Sequence, residues 1–211
     1  MGCQEKEIND KDEENLNLRN LEMYSEKAEN SLCEIILENG SGFGFFCKIK
    51  YPDESNIMYC LITNNHIITK EMLLNIDNID IKINDKNKNI LLNLDRKIWT
   101  DETIDFTCIE IIEEDNIIEM INPFEIDDNC YNIDYDINGY DKKSIVLPLI
   151  GETKEIGLSQ GITYNLEDED ALFFHDCNTK DGLWVGPIVL LNNLKIIGIH
   201  KEYLDSYNKS L

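Results

Sequence analysis

A glycine-containing loop that leads into an apolar strand decides the fold of this chain: Asn178-Thr-Lys-Asp-Gly-Leu-Trp-Val-Gly-Pro-Ile188. Gly182 lies in the middle of the stretch, and the Gly186-Pro187 pair marks the end of the loop, since Gly and Pro are the strongest turn formers. The apolar run that starts there is followed by a second one, Lys195-Ile-Ile-Gly-Ile-His200. Runs of this length and composition predict β-strands on both sides of a short turn.

Two earlier segments have the same β-like composition, and each carries a polar residue next to an apolar run. The first is a hairpin candidate, Gly42-Phe-Gly-Phe-Phe-Cys-Lys-Ile49 followed by Cys60-Leu-Ile-Thr-Asn-Asn-His-Ile-Ile68, in which His66 comes just after a strand. The second is Thr103-Ile-Asp-Phe-Thr-Cys-Ile-Glu-Ile111, in which Asp105 comes just before one. The chain therefore carries a histidine, an aspartate and the glycine-containing loop in that order.

These three segments resemble the trypsin-like serine proteases of the chymotrypsin fold (the PA clan), and the pattern is closest to glutamyl-endopeptidase-like domains. The loop resembles the family signature T-x-x-G-x-S-G-x-P-[IV]. The resemblance extends from about Ser31 to the C-terminus, and it implies that His66 is the general base and that Asp105 orients it. It also implies that the backbone N–H of Gly182 belongs to the oxyanion hole.

The nucleophile of that signature is missing. Trp184 stands at the serine position and Val185 at the position of the next glycine. Loss of the nucleophile lowers turnover about a million-fold in a well-studied triad enzyme. We therefore expect a catalytically inactive homologue that acts by binding a peptide or protein, with the indole of Trp184 filling the cleft beside His66.

The resemblance also implies a substrate pocket. Thr179 and His200 match the two residues that contact the acidic P1 side chain in glutamyl endopeptidases. The alternative for His200 is a core histidine that accompanies the fold. His175 lies in no motif and is predicted on the surface of a strand. Three histidines without metal-ligand spacing indicate neither a metal nor another cofactor.

An active endopeptidase is the first alternative, and it requires a nucleophile at another position. Cys177 precedes the serine position by seven residues, and Thr179 precedes it by five. Ser144 and Ser159 lie in predicted strands or turns without a glycine-rich elbow. None of the four is expected to reach the imidazole.

The first residues, Met1-Gly2-Cys3, indicate a second alternative, a lipid-tethered adaptor with myristate on Gly2 and palmitate on Cys3. The myristoylation motif prefers Ser or Thr at the position of Lys6, and the segment that follows is acidic. A single acyl chain binds membranes only marginally. Membrane association through the N-terminus is therefore the less favoured prediction.

The charge of the chain restricts its partners. The 211 residues include 42 Asp and Glu against 19 Lys and Arg, and the formal net charge is −23. Nucleic-acid affinity depends on neutralising phosphates with Lys and Arg, so this composition argues against nucleic acid. Anionic lipid headgroups would repel the chain in the same way. A basic peptide or protein is a partner compatible with this charge, and the alternative is that the charge only keeps the protein soluble.

The seven cysteines show no Cys-x-x-Cys spacing, and no apolar signal segment or membrane-spanning run is present. These features predict a cytoplasmic protein with reduced thiols. Cys47 and Cys60 are expected to face each other across a hairpin as core thiols.

Many short β-like runs separated by turns predict an all-β fold, and the resemblance makes it a double β-barrel of the chymotrypsin type. A charged N-terminal extension with a short helix is expected over residues 1–30, and the double-barrel domain over 31–211. Barrel one is predicted at about 31–115 and barrel two at about 125–205, joined by an acidic connector over Glu113–Asp128. The predicted strands are Leu32–Leu37, Phe43–Lys50, Ile57–Thr63, Ile79–Ile83, Ile90–Leu94, Ile104–Ile112, Ile133–Gly139, Ser144–Leu149, Thr153–Tyr164, Ala171–Cys177, Pro187–Leu191 and Leu194–His200.

Overall fold

The computed structural model describes residues 10–204 and 207–210, apart from 39, 94, 133–136, 152–154, 168–171 and 180–183. The helices are α1 (Asp10–Ser31) and α2 (Lys70–Asn75), and short 3-10 helices span Glu113–Asp115, Ile118–Met120, Asp128–Tyr131 and Ile137–Tyr140. The strands are β1 (Leu32–Leu37), β2 (Gly40–Lys50), β3 (Ile57–Thr63), β4 (Asn78–Ile83), β5 (Lys86–Leu91), β6 (Ile98–Asp101), β7 (Phe106–Ile111), β8 (Phe124–Ile126), β9 (Ser144–Ile150), β10 (Ile156–Glu167), β11 (Leu172–His175), β12 (Trp184–Val185), β13 (Pro187–Leu190), β14 (Lys195–Leu204) and β15 (Tyr207–Ser210).

The strands of the first half bury one face of each strand in a common core. In β4, Ile79, Ile81 and Ile83 are buried while Asn78 and Asp80 are exposed, because successive side chains of a strand point to opposite faces. Burying an Ile side chain completely stabilises a fold by about 1.5–3 kcal/mol. The core of this half consists of Cys33, Ile35, Phe46, Leu61, Ile68, Ile79, Ile81, Ile83, Ile90, Ile109, Ile111 and Ile117.

A buried arginine links β5, an end strand of the first barrel, to β7, the strand next to its other end. The hydrogen-bonded strand order there is β5-β4-β1-β2-β3-β7-β6. The guanidinium of Arg96 donates from Nε to the carbonyl oxygen of Leu91 in β5 at 2.7 Å, and from Nη1 to the carbonyl oxygen of Glu110 in β7. The side chain thus bridges β5 and β7 where their backbones do not pair among the described residues.

The second half forms a closed ring of six strands. β9 pairs with β10, β10 with β11, β11 with β15, β15 with β14, β14 with β13, and β13 with β9, all antiparallel. Its core consists of Tyr140, Ile145, Leu147, Phe173, Cys177, Ile188 and Leu190. A ring in which each strand pairs with two ring neighbours leaves no open edge, so this half is a closed barrel.

The segment between the barrels was predicted as an acidic connector, and it contains a strand that links them. β8 pairs in parallel with β2 of the first barrel and with β14 of the second. Phe124 in this strand is fully buried. Further along, Ile137–Tyr140 forms a 3-10 helix, so the strand predicted over Ile133–Gly139 is wrong for its last residues, and its residues 133–136 lie outside the described chain.

The N-terminal helix is longer than the short helix predicted from the sequence: α1 has 22 residues. Tyr24 and Ala28 are fully buried in a cluster that also contains Phe124, and Leu21 packs against this cluster. Residues 21, 24 and 28 lie on one helical face because they are three and four positions apart. Tyr24 contacts Phe124 with ring centroids 5.6 Å apart, so the helix packs on the strand that joins the barrels.

Candidate functional site

His66 lies in a tight turn directly after β3. The backbone N–H of Ile67 donates to the carbonyl oxygen of Asn64 at 3.1 Å, which closes the turn. Gly42 in β2 passes so close to Ile67 that an added Cβ would clash with the Ile67 side chain. The turn projects the side chain of His66 outward, and 62% of that side chain is exposed. A glycine at position 42 is therefore what allows β2 to run beside the His66 turn.

Asp105 lies in the turn that leads into β7. Its φ of 56° is in the left-handed region, which Asp tolerates better than most residues. The carboxylate of Asp101 organises the turn by accepting the backbone N–H groups of Thr103 at 2.8 Å and Ile104 at 3.2 Å. Lys201 of β14 donates from Nζ to the carbonyl oxygen of Thr103 at 2.9 Å. The turn is thus held from both barrels, and the side chain of Asp105 is 15% exposed.

The structure brings His66 and Asp105 together. The Oδ2 atom of Asp105 lies 2.8 Å from Nδ1 of His66, and Oδ1 accepts the backbone N–H of His66 at 2.9 Å. A carboxylate at Nδ1 keeps the proton on that nitrogen and leaves Nε2 as the basic atom. This is the arrangement of a general base and the group that orients it.

The two groups shift each other's pKa. The hydrogen bond to Asp105 raises the pKa of His66 although partial burial opposes the charged form. Burial alone would raise the pKa of Asp105, but the hydrogen bonds from His66 and Asn64 outweigh it and lower that pKa. Each residue therefore stabilises the charged form of the other, so the imidazole is a stronger base than an isolated histidine.

Asn64 is a residue of the site that the sequence analysis missed. It is 5% exposed. Its Nδ2 atom donates to Oδ2 of Asp105 at 3.0 Å and to the carbonyl oxygen of His200 at 3.3 Å. The sequence feature that could have indicated this role is the pair of amide side chains, Asn64 and Asn65, directly after an apolar strand. Such residues are usually exposed unless a partner is present.

The described parts of the Asn178–Ile188 loop are its beginning, Asn178 and Thr179, and its end, residues 184–188. Trp184 and Val185 form β12, in which they pair with Ile150 and Leu149 of β9. Gly182 and the side chain of Trp184 lie outside the described residues and side chains. The predicted oxyanion donor and the predicted position of the indole therefore stay predictions.

Two predicted pocket residues are buried in the second barrel. Thr179 is 6% exposed and His200 is 8% exposed. The imidazole of His200 lies 3.1 Å from that of His175, measured from Nδ1 to Nε2. The ring of His200 thus bonds within the barrel, as a core histidine does, and its carbonyl oxygen faces Asn64.

The prediction that His175 lies on a strand surface is wrong. The side chain is fully buried, because it alternates along β11 with Phe174 and lies on the same inward face as the buried Phe173. Among the described side chains, its Nδ1 atom is one of two buried polar atoms without a hydrogen-bond partner. Burial lowers the pKa of His175 to about 3 and that of His200 to about 4. Both rings are neutral at pH 7.

The alternative nucleophiles are poorly placed. Cys177 is 1% exposed, and burial raises the pKa of its thiol to about 12. A buried, protonated thiol is unreactive, since the thiolate is the nucleophile. Ser159 is 6% exposed in β10, and Ser144 begins β9. Neither serine has a described hydrogen bond to His66.

The cysteines and the metal-binding residue types give no second site in the described part of the chain. Six cysteines, Cys33, Cys47, Cys60, Cys108, Cys130 and Cys177, are free thiols there, and Cys47 faces Cys60 across β2 and β3, as predicted. No cluster of three His, Cys, Asp or Glu side chains is close enough to hold a metal within these residues. Among the described helices, none is both long and apolar enough to cross a membrane.

No protein-family model matches the sequence, and no curated protein matches it either. Solved structures do match. The crystal structure of Deg5 gives a TM-score of 0.60 at 18% identity, over 96% of this chain and 91% of that chain. An inactive mutant form of Rv3671c from M. tuberculosis H37Rv gives 0.56 at 11% identity, over 89% and 83%. The serine endoprotease from Yersinia pestis gives 0.57 at 12% identity, over 89% and 61%.

These structures establish the fold of the chain. It is the all-β double barrel of the trypsin-like, chymotrypsin-type serine proteases. The fold predicted from the His66, Asp105 and Gly182 motifs is thereby confirmed.

Proposed function

We propose that this protein is a catalytically inactive homologue of the trypsin-like serine proteases that binds a peptide or protein segment in the cleft beside His66. One combination of observations carries the proposal. The His66–Asp105 pair has the geometry of a general base and its orienting group, whereas the serine position of the loop holds Trp184. A base without a hydroxyl to activate cannot form an acyl-enzyme.

The charge of the chain supports a basic partner. The formal net charge is −23, and a strongly acidic surface attracts cationic segments and accelerates their association. We therefore infer that the bound segment carries Lys or Arg, and that nucleic acid is not the partner. The free thiols of the described cysteines support a reducing compartment such as the cytoplasm.

Binding is tested with two fluorescein-labelled decapeptides, one rich in Lys and Leu and one in which Glu replaces each Lys. We expect the basic peptide to bind and to shift the NMR resonances of His66 and Asn64, with affinity that falls as salt is raised. Equal binding of both peptides would contradict the preference for a basic partner. Binding that leaves the His66 and Asn64 resonances unchanged would contradict the location in the cleft.

An active serine-type endopeptidase is the second candidate, and the intact His66–Asp105 geometry is the observation that favours it. A fluorophosphonate probe, which forms a covalent bond with an activated hydroxyl, separates the two. We expect no labelling of the native protein. Labelling that disappears in His66→Ala would establish the endopeptidase. The lipid-tethered adaptor is tested separately by metabolic labelling with myristate and palmitate analogues, using Gly2→Ala and Cys3→Ser as controls.

A further inference from the structure

The side-chain amide of Asn64 faces three oxygen atoms of the site. Its Nδ2 atom lies 3.0 Å from Oδ2 of Asp105, 3.4 Å from the backbone oxygen of Asp105 and 3.3 Å from the backbone oxygen of His200. All three oxygens are acceptors, and the amide oxygen of Asn cannot donate. The NH₂ group must therefore face them.

The carboxylate of Asp105 is held by three N–H groups. Two come from His66, at Nδ1 and at the backbone nitrogen. The third comes from Asn64 and reaches Oδ2, the same oxygen that bonds Nδ1 of His66. A carboxylate that is largely withdrawn from water needs such donors to stay charged. Asn64 supplies the one that does not belong to the His66–Asp105 pair.

The same amide links the two barrels. His66 and Asp105 belong to the first barrel, whereas the backbone oxygen of His200 belongs to β14 of the second. Lys201, the next residue of β14, reaches the Asp105 turn through the carbonyl oxygen of Thr103. Asn64 and Lys201 therefore connect the His66–Asp105 pair to β14 by hydrogen bonds.

We propose that Asn64 is a positioning residue that fixes the carboxylate of Asp105 against His66 and anchors this pair to β14 of the second barrel. The inference deepens the proposed function, because it rests on the His66–Asp105 pair of the same cleft. Its readout requires neither turnover nor a ligand. If the role of Asn64 were disproved, the proposal that the protein is inactive would still stand. If the protein proved to be active, the role of Asn64 would still stand.

The pKa of His66, measured by NMR titration of the imidazole C–H protons, tests the proposal. Removing a donor from Asp105 without moving it would make the carboxylate a stronger partner and raise the pKa of His66 further. Losing the positioning contact would let the carboxylate turn away and lower the pKa towards 6.5, the ordinary value. The proposal predicts that Asn64→Ala lowers the pKa of His66, so that about half or more of its rise above the ordinary value is lost.

Asn65→Ala is the matched control. Asn65 is the adjacent residue in the same turn and is 6% exposed, but its amide bonds to the hydroxyls of Thr100 and Thr107. Its replacement should leave the pKa of His66 as in the native protein. If both alanine variants lower that pKa equally, the effect is a general loosening of the turn and the proposal is wrong.

A measurement on the native protein makes the test independent of how the variants fold. Because Asn64 and His66 share Oδ2 of Asp105, the side-chain ¹⁵N shift of Asn64 should titrate with the pKa of His66. The side-chain ¹⁵N shift of Asn65 should not. A flat Asn64 shift across the titration of His66, or an unchanged His66 pKa in Asn64→Ala, would overturn the proposal.

Discussion

The guanidinium of Arg96 and the carboxylate of Asp115 form a bidentate ion pair in which both N···O distances are 2.8 Å. Their side chains are 1% and 3% exposed. The same carboxylate accepts the backbone N–H of Ile112, and the same guanidinium bridges β5 and β7. The buried ion pair therefore holds together strands β5 and β7 of the first barrel. Strand β7 directly follows the turn that contains Asp105.

Breaking this pair should strongly destabilise the protein. Arg96→Met keeps the length of the side chain but leaves the charge of Asp115 buried without its partner, which costs about 3–5 kcal/mol. Urea unfolding measures the loss. Lys97→Met is the control, because the Lys97–Glu110 pair is partly exposed, with 46% of the lysine side chain accessible. Exposed pairs contribute less than about 1 kcal/mol, so equal losses would contradict a special role for Arg96.

Gly42→Ala should disturb the turn that presents His66. The added Cβ would overlap the side chain of Ile67, and overpacking of this kind costs about 1–3 kcal/mol. We expect a lower free energy of unfolding and shifted His66 resonances. Gly157→Ala is the control, since a Cβ there would meet the Leu149 oxygen at an ordinary 3.7 Å. Unchanged His66 resonances in Gly42→Ala would show that the turn does not depend on this glycine.

The buried histidine pair should make the fold sensitive to acid. At pH 7.5 His175 and His200 are neutral in both the folded and the unfolded chain. Below about pH 6.5 the unfolded chain binds protons, but the folded pKa values of about 3 and about 4 keep both rings neutral. The free energy of unfolding should therefore fall by about 1.4 kcal/mol per pH unit for each histidine.

Carboxylates with lowered pKa values also make the free energy of unfolding fall as the pH falls. The contribution of His175 is therefore isolated by comparing the native protein with His175→Gln between pH 7.5 and pH 4. We expect the variant to lose stability less steeply, by about 1.4 kcal/mol per pH unit. His66→Gln should behave in the opposite way, since the raised pKa of His66 stabilises the fold below pH 6.5 and that stabilisation is lost as pH rises. Parallel pH profiles for the native protein and His175→Gln would contradict the account.

The sequence predicted those parts of the fold that depend on local patterns. The bounds of β1 and β3 agree with the predicted Leu32–Leu37 and Ile57–Thr63, because apolar runs between turn residues define them. The strands β6 and β15 were missed. Each has only four residues, and the neighbouring strands β7 and β14 hold them in place through backbone hydrogen bonds, which composition does not reveal.

In the site, too, residues that follow a local sequence pattern could be predicted, and residues placed by distant partners could not. His66 and Asp105 could be located from their motifs, since each sits next to a recognisable strand. Asn64 and His175 could not, because their partners are distant in sequence: Asn64 bonds to Asp105, 41 residues away, and to His200, 136 residues away. His175 bonds to His200, 25 residues away. Whether a polar residue is buried depends on such partners.

The central claim is that the cleft retains the base but has lost catalysis, and hydrolysis of an activated ester and of a fluorogenic peptide tests it most directly. Trp184→Ser is measured beside the triple change Leu183→Ser, Trp184→Ser, Val185→Gly, because the oxyanion donors must be placed within a few tenths of an ångström. We predict no turnover above background by the native protein and none by Trp184→Ser alone. Turnover by the native protein that His66→Ala abolishes would contradict the account.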